Sequence, residues 1–271
     1  MKIILLALAA LSFLGLITYS VQKNAVSNEP QKIAVDETAK IFPAKGKTPV
    51  LVELFTSEGC SSCPPADRVL SELDKDQPTA GAEIITLSLH VDYWNNLGWK
   101  DRFSSPLYSQ RQTIYGQKFK LDSIYTPQMI VDGEKQFVGS SLDEASKAVG
   151  ESAKTPKAKI ELVRDEDKLK VIVSDIPAHE DASVFLAIAE DDLSTKVGGG
   201  ENGGRTLQHT SVARDLKPLG RILPADNNFQ TETMLQFQPD WKKENLKLIV
   251  FLQENQSRKI LGVNKILLDK K

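Results

Sequence analysis

Apolar positions follow two different regimes along this chain, and the change falls at Thr155-Pro156. Before it, long buried-type runs alternate with helical spacing. Pro49 to Phe55 reads P-V-L-V-E-L-F, a nearly unbroken β-rich run broken only by Glu53, as expected of a central strand covered on both faces. Thr56 to Gly59 turns the chain. From Pro64 the spacing becomes helical, with Ala66, Val69, Leu70 and Leu73 on one face and Asp67, Arg68, Glu72 and Asp74 between them. Gln77 to Gly81 breaks that helix, and Ile84 to Val91 is a second strand. Strand, helix, strand predicts a parallel pair joined by a right-handed crossover.

Residues 92–119 read as an aromatic-rich, polar insertion, with a short helix over Leu107–Tyr115 after Ser105-Pro106. Arg111 and Tyr115 lie four apart and share one face of it. Met129–Val131, the turn Asp132-Gly133 and Gln136–Gly139 predict a hairpin. Ser141 with Glu144 forms a capping-box pattern for a helix over Leu142–Ser152. Beyond Pro156 the period becomes two. The candidate strands are Lys159–Val163, Lys168–Val173, Ser183–Glu190, Gln230–Phe237, Leu246–Gln253 and Lys259–Val263. The predicted organisation is an α/β domain over 48–155, then a small antiparallel β-sandwich domain over 156–271.

The first residues follow neither regime. Lys2 precedes an apolar run from Ile3 to Ile17, interrupted by Ser12 and Gly15, and the next charge is Lys23. That is the layout of a secretory signal. Thr18 and Ser20 are small enough for cleavage after Ser20, but no Ala-x-Ala is present, so an uncleaved anchor stays open. The run is slightly shorter than the roughly 20 apolar residues of a membrane span. Residues 1–20 are thus a signal peptide or anchor, and 21–47 a linker. The expected location is periplasmic or secreted, with membrane contact through the N-terminal segment alone.

With 271 residues, 41% of them apolar, the chain is long enough for two cores. The net charge of −2, without a basic stripe, argues against a nucleic-acid partner. Nothing in the pattern sets the oligomeric state. The two cysteines, Cys60 and Cys63, stand in C-S-S-C between the first strand and the helix. A bridge across so short a loop restrains the unfolded chain little. A closed zinc site is poorly supplied by two Cys and three His. Redox cycling fits better. Unpaired N–H groups at the helix start favour a thiolate on Cys60 as attacking sulfur, with the less exposed Cys63 as resolving thiol. Pro64 and Pro65 leave the Ser62 and Cys63 amides free to face it. Glu53 is either a buried acid that takes a proton from Cys63 or a surface acid on an edge strand. Thr126-Pro127, just before a strand, fits either a cis peptide in a tight turn or an ordinary trans Pro at a strand start.

P-V-L-V-E-L-F, C-S-S-C and T-P together resemble thioredoxin. The resemblance implies a thioredoxin-like fold for 48–155. It also implies that the Pro127 loop, with Thr126, packs beside the disulfide and binds extended substrate backbone, and that Glu53 matches the superfamily's buried acid, one residue further from Cys60. A narrower resemblance covers most of the chain after the linker. F-T-S-E-G-C-S-S-C-P-P-A-D, H-V-D-Y-W-N-N-L-G-W-K-D, Y-T-P-Q-M and G-E-N-G-G-R-T-L-Q-H are similar to a secreted bacterial thioredoxin-like family of unknown function with an added β-domain. Asn95 departs from that pattern, which more often carries Asp there.

His90, Asp92, Tyr93, Trp94 and Trp99 cluster after the second strand, at the sheet edge expected to hold the redox pair. Trp94 and Trp99 are candidates to line a groove for a partner chain, and His90 to raise the thiolate fraction or ligate a metal. A packed aromatic insertion, with His90 bonded to backbone, is the plainer reading. Gly198–Gly204 (G-G-G-E-N-G-G) lacks the Gly-Lys-Ser/Thr ending of a phosphate loop. It is expected as a solvated loop or as one reaching back over the first domain, with Glu201, Arg205 and His209 at the interface. The expected function is thiol–disulfide exchange with exported protein thiols or disulfides, without cofactor or resident metal. The alternatives are a Cu(I)-binding or copper-site assembly module built on the two thiolates and His90, and a non-catalytic thioredoxin-like adaptor.

Overall fold

The computed structural model describes residues 46–268. The expected signal or anchor at 1–20 and nearly all of the linker at 21–47 lie outside the described residues. Among the described residues, no helix is long and apolar enough to cross a membrane.

The chain enters on β1 (Thr48–Thr56), crosses by α1 (Cys63–Asp76) and returns on β2 (Ala82–His90), parallel to β1 with Val50 opposite Ile84. All nine residues of β2 are buried, including Glu83, Thr86, Ser88 and His90, as in a central strand covered on both faces. Pro106 opens α2 (Pro106–Phe119) behind Ser105, whose Oγ accepts the Leu107 N–H at 3.2 Å. β3 (Gln128–Val131) pairs antiparallel with β1, and β4 (Lys135–Val138) with β3. The Asp132-Gly133 turn between them takes φ of 48° and 68°. Ser141 Oγ accepts the Glu144 N–H at 3.3 Å and caps α3 (Leu142–Ser152).

The second half supplies β5 (Lys159–Asp165), β6 (Lys168–Ser174), β7 (Ala182–Glu190), β8 (Leu193–Lys196), β9 (Thr206–His209), β10 (Val212–Ile222), β11 (Phe229–Met234), β12 (Leu246–Glu254) and β13 (Ile260–Leu267). Its strands do not close a separate sandwich. They continue the first sheet, in the order β13-β12-β7-β10-β2-β1-β3-β4. The join is β10, which lies parallel to β2 at Val212–Ser88 and antiparallel to β7 along its length. The Ser88 N–H donates to the Ser211 carbonyl at 2.8 Å there. A three-stranded sheet, β11-β6-β5, packs on the C-terminal part of the large sheet, and β8-β9 forms a ribbon. Sandwich packing is therefore present, but one of its two layers is shared with the first half. Thr155-Pro156 marks a change in strand direction rather than a break in the sheet.

Three apolar layers hold this arrangement. One face of β1 (Val50, Val52, Leu54) packs on α1 and α3. The other (Leu51, Phe55) packs with Tyr108 and Tyr115 of α2, and that layer runs on through Ala187, Ala213, Ile249 and Phe251 of the second half. α2 is thus a core element. Each buried side chain of this size contributes about 1.5–3 kcal/mol. The third layer lies between β5-β6 and the alternate residues of β7 and β12.

Candidate functional site

β1 ends at Thr56, and Ser57-Glu58-Gly59 carries the chain to Cys60, whose N–H donates to the Ser57 carbonyl at 3.2 Å. Cys60 and Cys63 are joined in a disulfide at the first turn of α1. The Cys63 N–H donates to the Cys60 carbonyl at 3.2 Å, so it does not face the sulfur as the sequence predicts. The Ser62 hydroxyl lies 3.4 Å from Cys60 Sγ. Both cysteines are 0% exposed, whereas Ser61 and Ser62 between them are exposed. Burial of Cys60 as well as Cys63 departs from the expected exposed attacking sulfur.

The Thr126-Pro127 peptide is cis. Gln128 pairs with Phe55, so Pro127 lies level with Thr56, at the sheet edge from which the chain runs to Cys60. Trp94 covers the turn before Cys60: its Cβ is 3.1 Å from where a Cβ on Gly59 would sit, and its indole N–H donates to Thr126 Oγ1 at 2.9 Å.

Glu53 does not lie beneath the pair. Successive strand residues face opposite ways. Glu53 shares the α2 face with Leu51 and Phe55, while the helix carrying Cys63 packs on the other face. Its carboxylate accepts from Arg111 Nε at 2.6 Å, Arg111 Nη2 at 3.1 Å and the Tyr115 hydroxyl at 2.6 Å. Both Glu53 roles foreseen from the sequence are corrected: it is neither a proton acceptor poised at Cys63 nor a surface acid on an edge strand. It is half of a buried ion pair on a central strand. Beside that carboxylate the Arg111 guanidinium, although burial opposes its charge, is raised above its ordinary value.

The titratable groups near the disulfide are others. Glu58, fully buried two residues before Cys60, accepts from Trp99 Nε1 at 2.8 Å and lies 3.1 Å from His209 Nε2. Its N–H donates to Asp101 Oδ2 at 2.8 Å, and Asp101 Oδ2 also holds His90 Nδ1 at 2.7 Å. His90 is thus bonded to a carboxylate, not to backbone. The His90 and His209 rings meet edge to face at 5.0 Å, with Phe103 against both. Their remaining nitrogens, His90 Nε2 and His209 Nδ1, are buried without a hydrogen-bond partner. Asp67, one turn along α1 from Cys63, accepts from Thr56 Oγ1 at 2.9 Å.

Charge sets the protonation of this cluster. Burial, with the nearby Asp101 charge, opposes the Glu58 carboxylate, but the contacts with His209 and Trp99 hold Glu58 below its ordinary value. Asp101 is likewise lowered, burial being outweighed by His90 and by the Glu58 and Phe103 N–H groups. His90 is raised: burial pushes it down, and Asp101, then Asp67 and Glu58, push it further up. For Asp67 burial wins over His209, His90 and Thr56, and its carboxyl is raised. Among the described residues, no group of three His, Cys, Asp or Glu side chains is placed to hold a metal ion.

The Gly-rich segment packs on this site. Trp99 lies 3.1 Å from where a Cβ on Gly198 would be, and a Cβ on Gly199 would sit 2.6 Å from the Gly98 carbonyl. Asn202, fully buried, donates through Nδ2 to the Glu58 and Cys60 carbonyls, both at 2.9 Å. Arg205 Nη1 donates to Asn202 Oδ1 at 2.9 Å, and the Ser61 N–H donates to Glu201 Oε2 at 3.0 Å. Trp99 is therefore occupied by the chain's own loop. The structure brings together Cys60, Cys63, Pro127, Thr126, Trp94, Trp99 and His90, and leaves out Glu53. Glu58, Asp67, Asp101 and Asn202 are additions. Only Asp67 had a local signal, its i, i+4 spacing from Cys63.

The model of the family described as protein of unknown function, DUF1223, matches residues 51–253. The chain belongs to that family. The match spans both halves, from β1 to β12, and includes every residue of this site. A crystal structure of a protein from Agrobacterium tumefaciens is similar to this DUF1223 member with a TM-score of 0.68 and 24% identity, over 84% of this chain and 98% of that one. HBP35 of Porphyromonas gingivalis is similar with a TM-score of 0.56 and 16% identity, over 84% and 77%. Both likenesses concern the fold. No curated protein matches the chain.

Proposed function

We propose that this protein is a thioredoxin-like thiol–disulfide oxidoreductase that acts on other exported proteins through Cys60 and Cys63. The observation that carries the reading is the disulfide itself, set between the end of a central parallel strand and the first turn of a helix, with the cis Thr126-Pro127 loop at the same sheet edge. The order β2-β1-β3-β4, with α1 and α3 on one face and α2 on the other, supports the thioredoxin-like part. The export part rests on the signal-like pattern of residues 1–20.

The exchange balances as follows. A partner thiolate attacks Cys60 Sγ, and the Cys60–Cys63 bond breaks with its electron pair on Cys63 Sγ, which takes a proton. The partner's second thiolate then attacks its own sulfur in the mixed disulfide and releases the Cys60 thiolate. The partner loses two electrons and the pair gains them; the reverse sequence reduces a partner disulfide. Asp67, a raised carboxyl one turn from Cys63, is the nearest group on α1 suited to exchange that proton. Exchange of the pre-reduced protein with a disulfide-linked reporter peptide tests the reading. The wild-type chain exchanges, Cys60→Ser does not, and Cys63→Ser accumulates the mixed disulfide. A Cys60→Ser variant of undiminished rate refutes it.

Burial of both sulfurs favours a second reading, a non-catalytic adaptor whose disulfide is structural. It predicts that no thiol partner opens the pair in the folded protein.

A further inference from the structure

We propose that residues 198–204 are a displaceable strap seated on the partner-docking surface of the Cys60–Cys63 pair, and that the partner is an extended polypeptide replacing the strap's polar contacts. The purpose of such a surface rests on the exchange reading above; the strap's contacts with the Glu58–Ser61 backbone do not.

Ser61 and Ser62 are exposed, so the loop faces outward, yet both cysteines are 0% exposed. The strap lies across the loop that carries them. Its Asn202 amide donates to the carbonyls of Glu58 and Cys60, its Glu201 carboxylate accepts the Ser61 N–H, and Arg205 orients the Asn202 side chain. Two carbonyls and one N–H on a single stretch of chain are the groups an extended segment uses when it lies alongside another strand. Here side chains of the strap satisfy them.

What holds the strap makes it displaceable. G-G-G-E-N-G-G carries no apolar side chain, so no hydrophobic burial of its own anchors it. Its backbone fits closely because glycines let it: Gly199 abuts the Gly98 carbonyl, and Gly200 takes φ of 66° beside Trp99. The remaining attachment is a few hydrogen bonds, each a factor of roughly 2–12 in an opening equilibrium. Segments held in this way open at the low end of the local-stability range. The arrangement also places the Glu201 carboxylate next to the loop of Cys60, where a negative charge disfavours a thiolate. Displacing the strap frees the Glu58 and Cys60 carbonyls and the Ser61 N–H and removes that charge together.

The replacing segment needs an acceptor for the Ser61 N–H and donors for the Glu58 and Cys60 carbonyls. A partner with Glu, Asn or Gln beside its cysteine can reproduce the strap's side-chain contacts, whereas one flanked by Lys and Ala offers no side-chain acceptor for the Ser61 N–H.

The experiment measures how fast a water-soluble phosphine opens the disulfide of the folded full chain, with water supplying the oxygen of the phosphine oxide and the two thiol protons. Thiols are counted by alkylation and mass. Asn202→Ala and Gly199→Ala are expected to react about tenfold faster than wild type, as loss of two hydrogen bonds or of the backbone fit implies. Ser141→Ala, which loses the α3 cap and no hydrogen bond to the strap, controls for general loss of stability and is expected to match wild type. Equal rates in all four proteins, or an equal rise in Ser141→Ala, overturn the strap. In a second arm, the protein reduced by the phosphine and then freed of it is expected to exchange several-fold faster with disulfide peptides flanked by Glu and Asn than with peptides flanked by Lys and Ala, and measurable but equal rates overturn the docking surface. Faster phosphine opening with no exchange on either peptide leaves the strap standing and refutes the exchange reading instead.

Discussion

Arg111→Leu is the substitution whose cost the structure sets most directly. The guanidinium makes two hydrogen bonds to Glu53, at 2.6 and 3.1 Å, one to Gln253 Oε1 at 3.0 Å and one to the Tyr115 hydroxyl at 3.1 Å. The two side chains of the ion pair are 8% and 1% exposed, so water does not replace the lost partner. Leucine leaves a carboxylate inside the sheet with Tyr115 as its remaining donor, and leaves the Gln253 oxygen unmet. Breaking a buried pair from one side costs about 3–5 kcal/mol. Leucine in place of both partners removes the stranded charge, and most of the loss is expected to return in Arg111→Leu/Glu53→Leu. Urea unfolding with the disulfide intact measures this, the midpoint falling while the slope stays constant. Gln253 belongs to β12 and Arg111 to α2, so fluorescence and circular dichroism are expected to report one shared transition. A single-variant loss below about 1 kcal/mol, or a double variant no better than Arg111→Leu, refutes the reasoning. Glu53→Gln carries the functional half: phosphine opening of the disulfide is expected to be unchanged, and a changed rate would return Glu53 to the site.

Two further outcomes are expected. Asp101 and Glu58 sit below their ordinary values of 3.8 and 4.5, so their stabilisation is present above those values and lost as pH falls through the folded ones. His90, raised from 6.5, contributes below that value and fades as pH rises through its folded one. The urea midpoint should therefore fall on acidification below about pH 5, and less steeply in Asp101→Asn; an identical acid slope in that variant counts against the cluster. Gly133→Ala meets both a φ of 68° and a clash of the new Cβ with the Arg258 carbonyl, so thermal melting should show a loss of at least about 2 kcal/mol. A neutral result would mean the turn relaxes freely.

Local signals carried much of the fold. The apolar run of β1, the helical spacing of α1, the Asp132-Gly133 turn and the Ser141 cap all depend on neighbours a few residues away, and each stands where the pattern puts it. β8, β9 and β10 were not legible. β10 reads V-A-R-D-L-K-P-L-G-R-I, and its pairing with β7 shifts register between Ala213 and Asp215 and again between Pro218 and Gly220. Bulges break the period of two, and Pro and Gly argue against a long strand. The strand that fuses the halves into one sheet was thus the one its own sequence disguised.

The candidate site divides along the same line. C-S-S-C after a buried strand and before a helix is a contiguous feature, so the sequence by itself determined where the disulfide sits and how the chain enters and leaves it. Which face Glu53 takes, whether His90 meets a carboxylate, and whether Cys60 meets solvent depend on residues far apart in the chain. Asp101 reaches His90 across the turn after β2, Arg111 comes from α2 on the opposite face, and Asn202 is 142 residues from the carbonyl it caps. The Asn202 contacts also depend on β10 pairing with β2, which joins the second half of the chain to the first. Tertiary structure alone decided them, because a hydrogen bond between distant residues leaves no periodicity in either stretch of sequence.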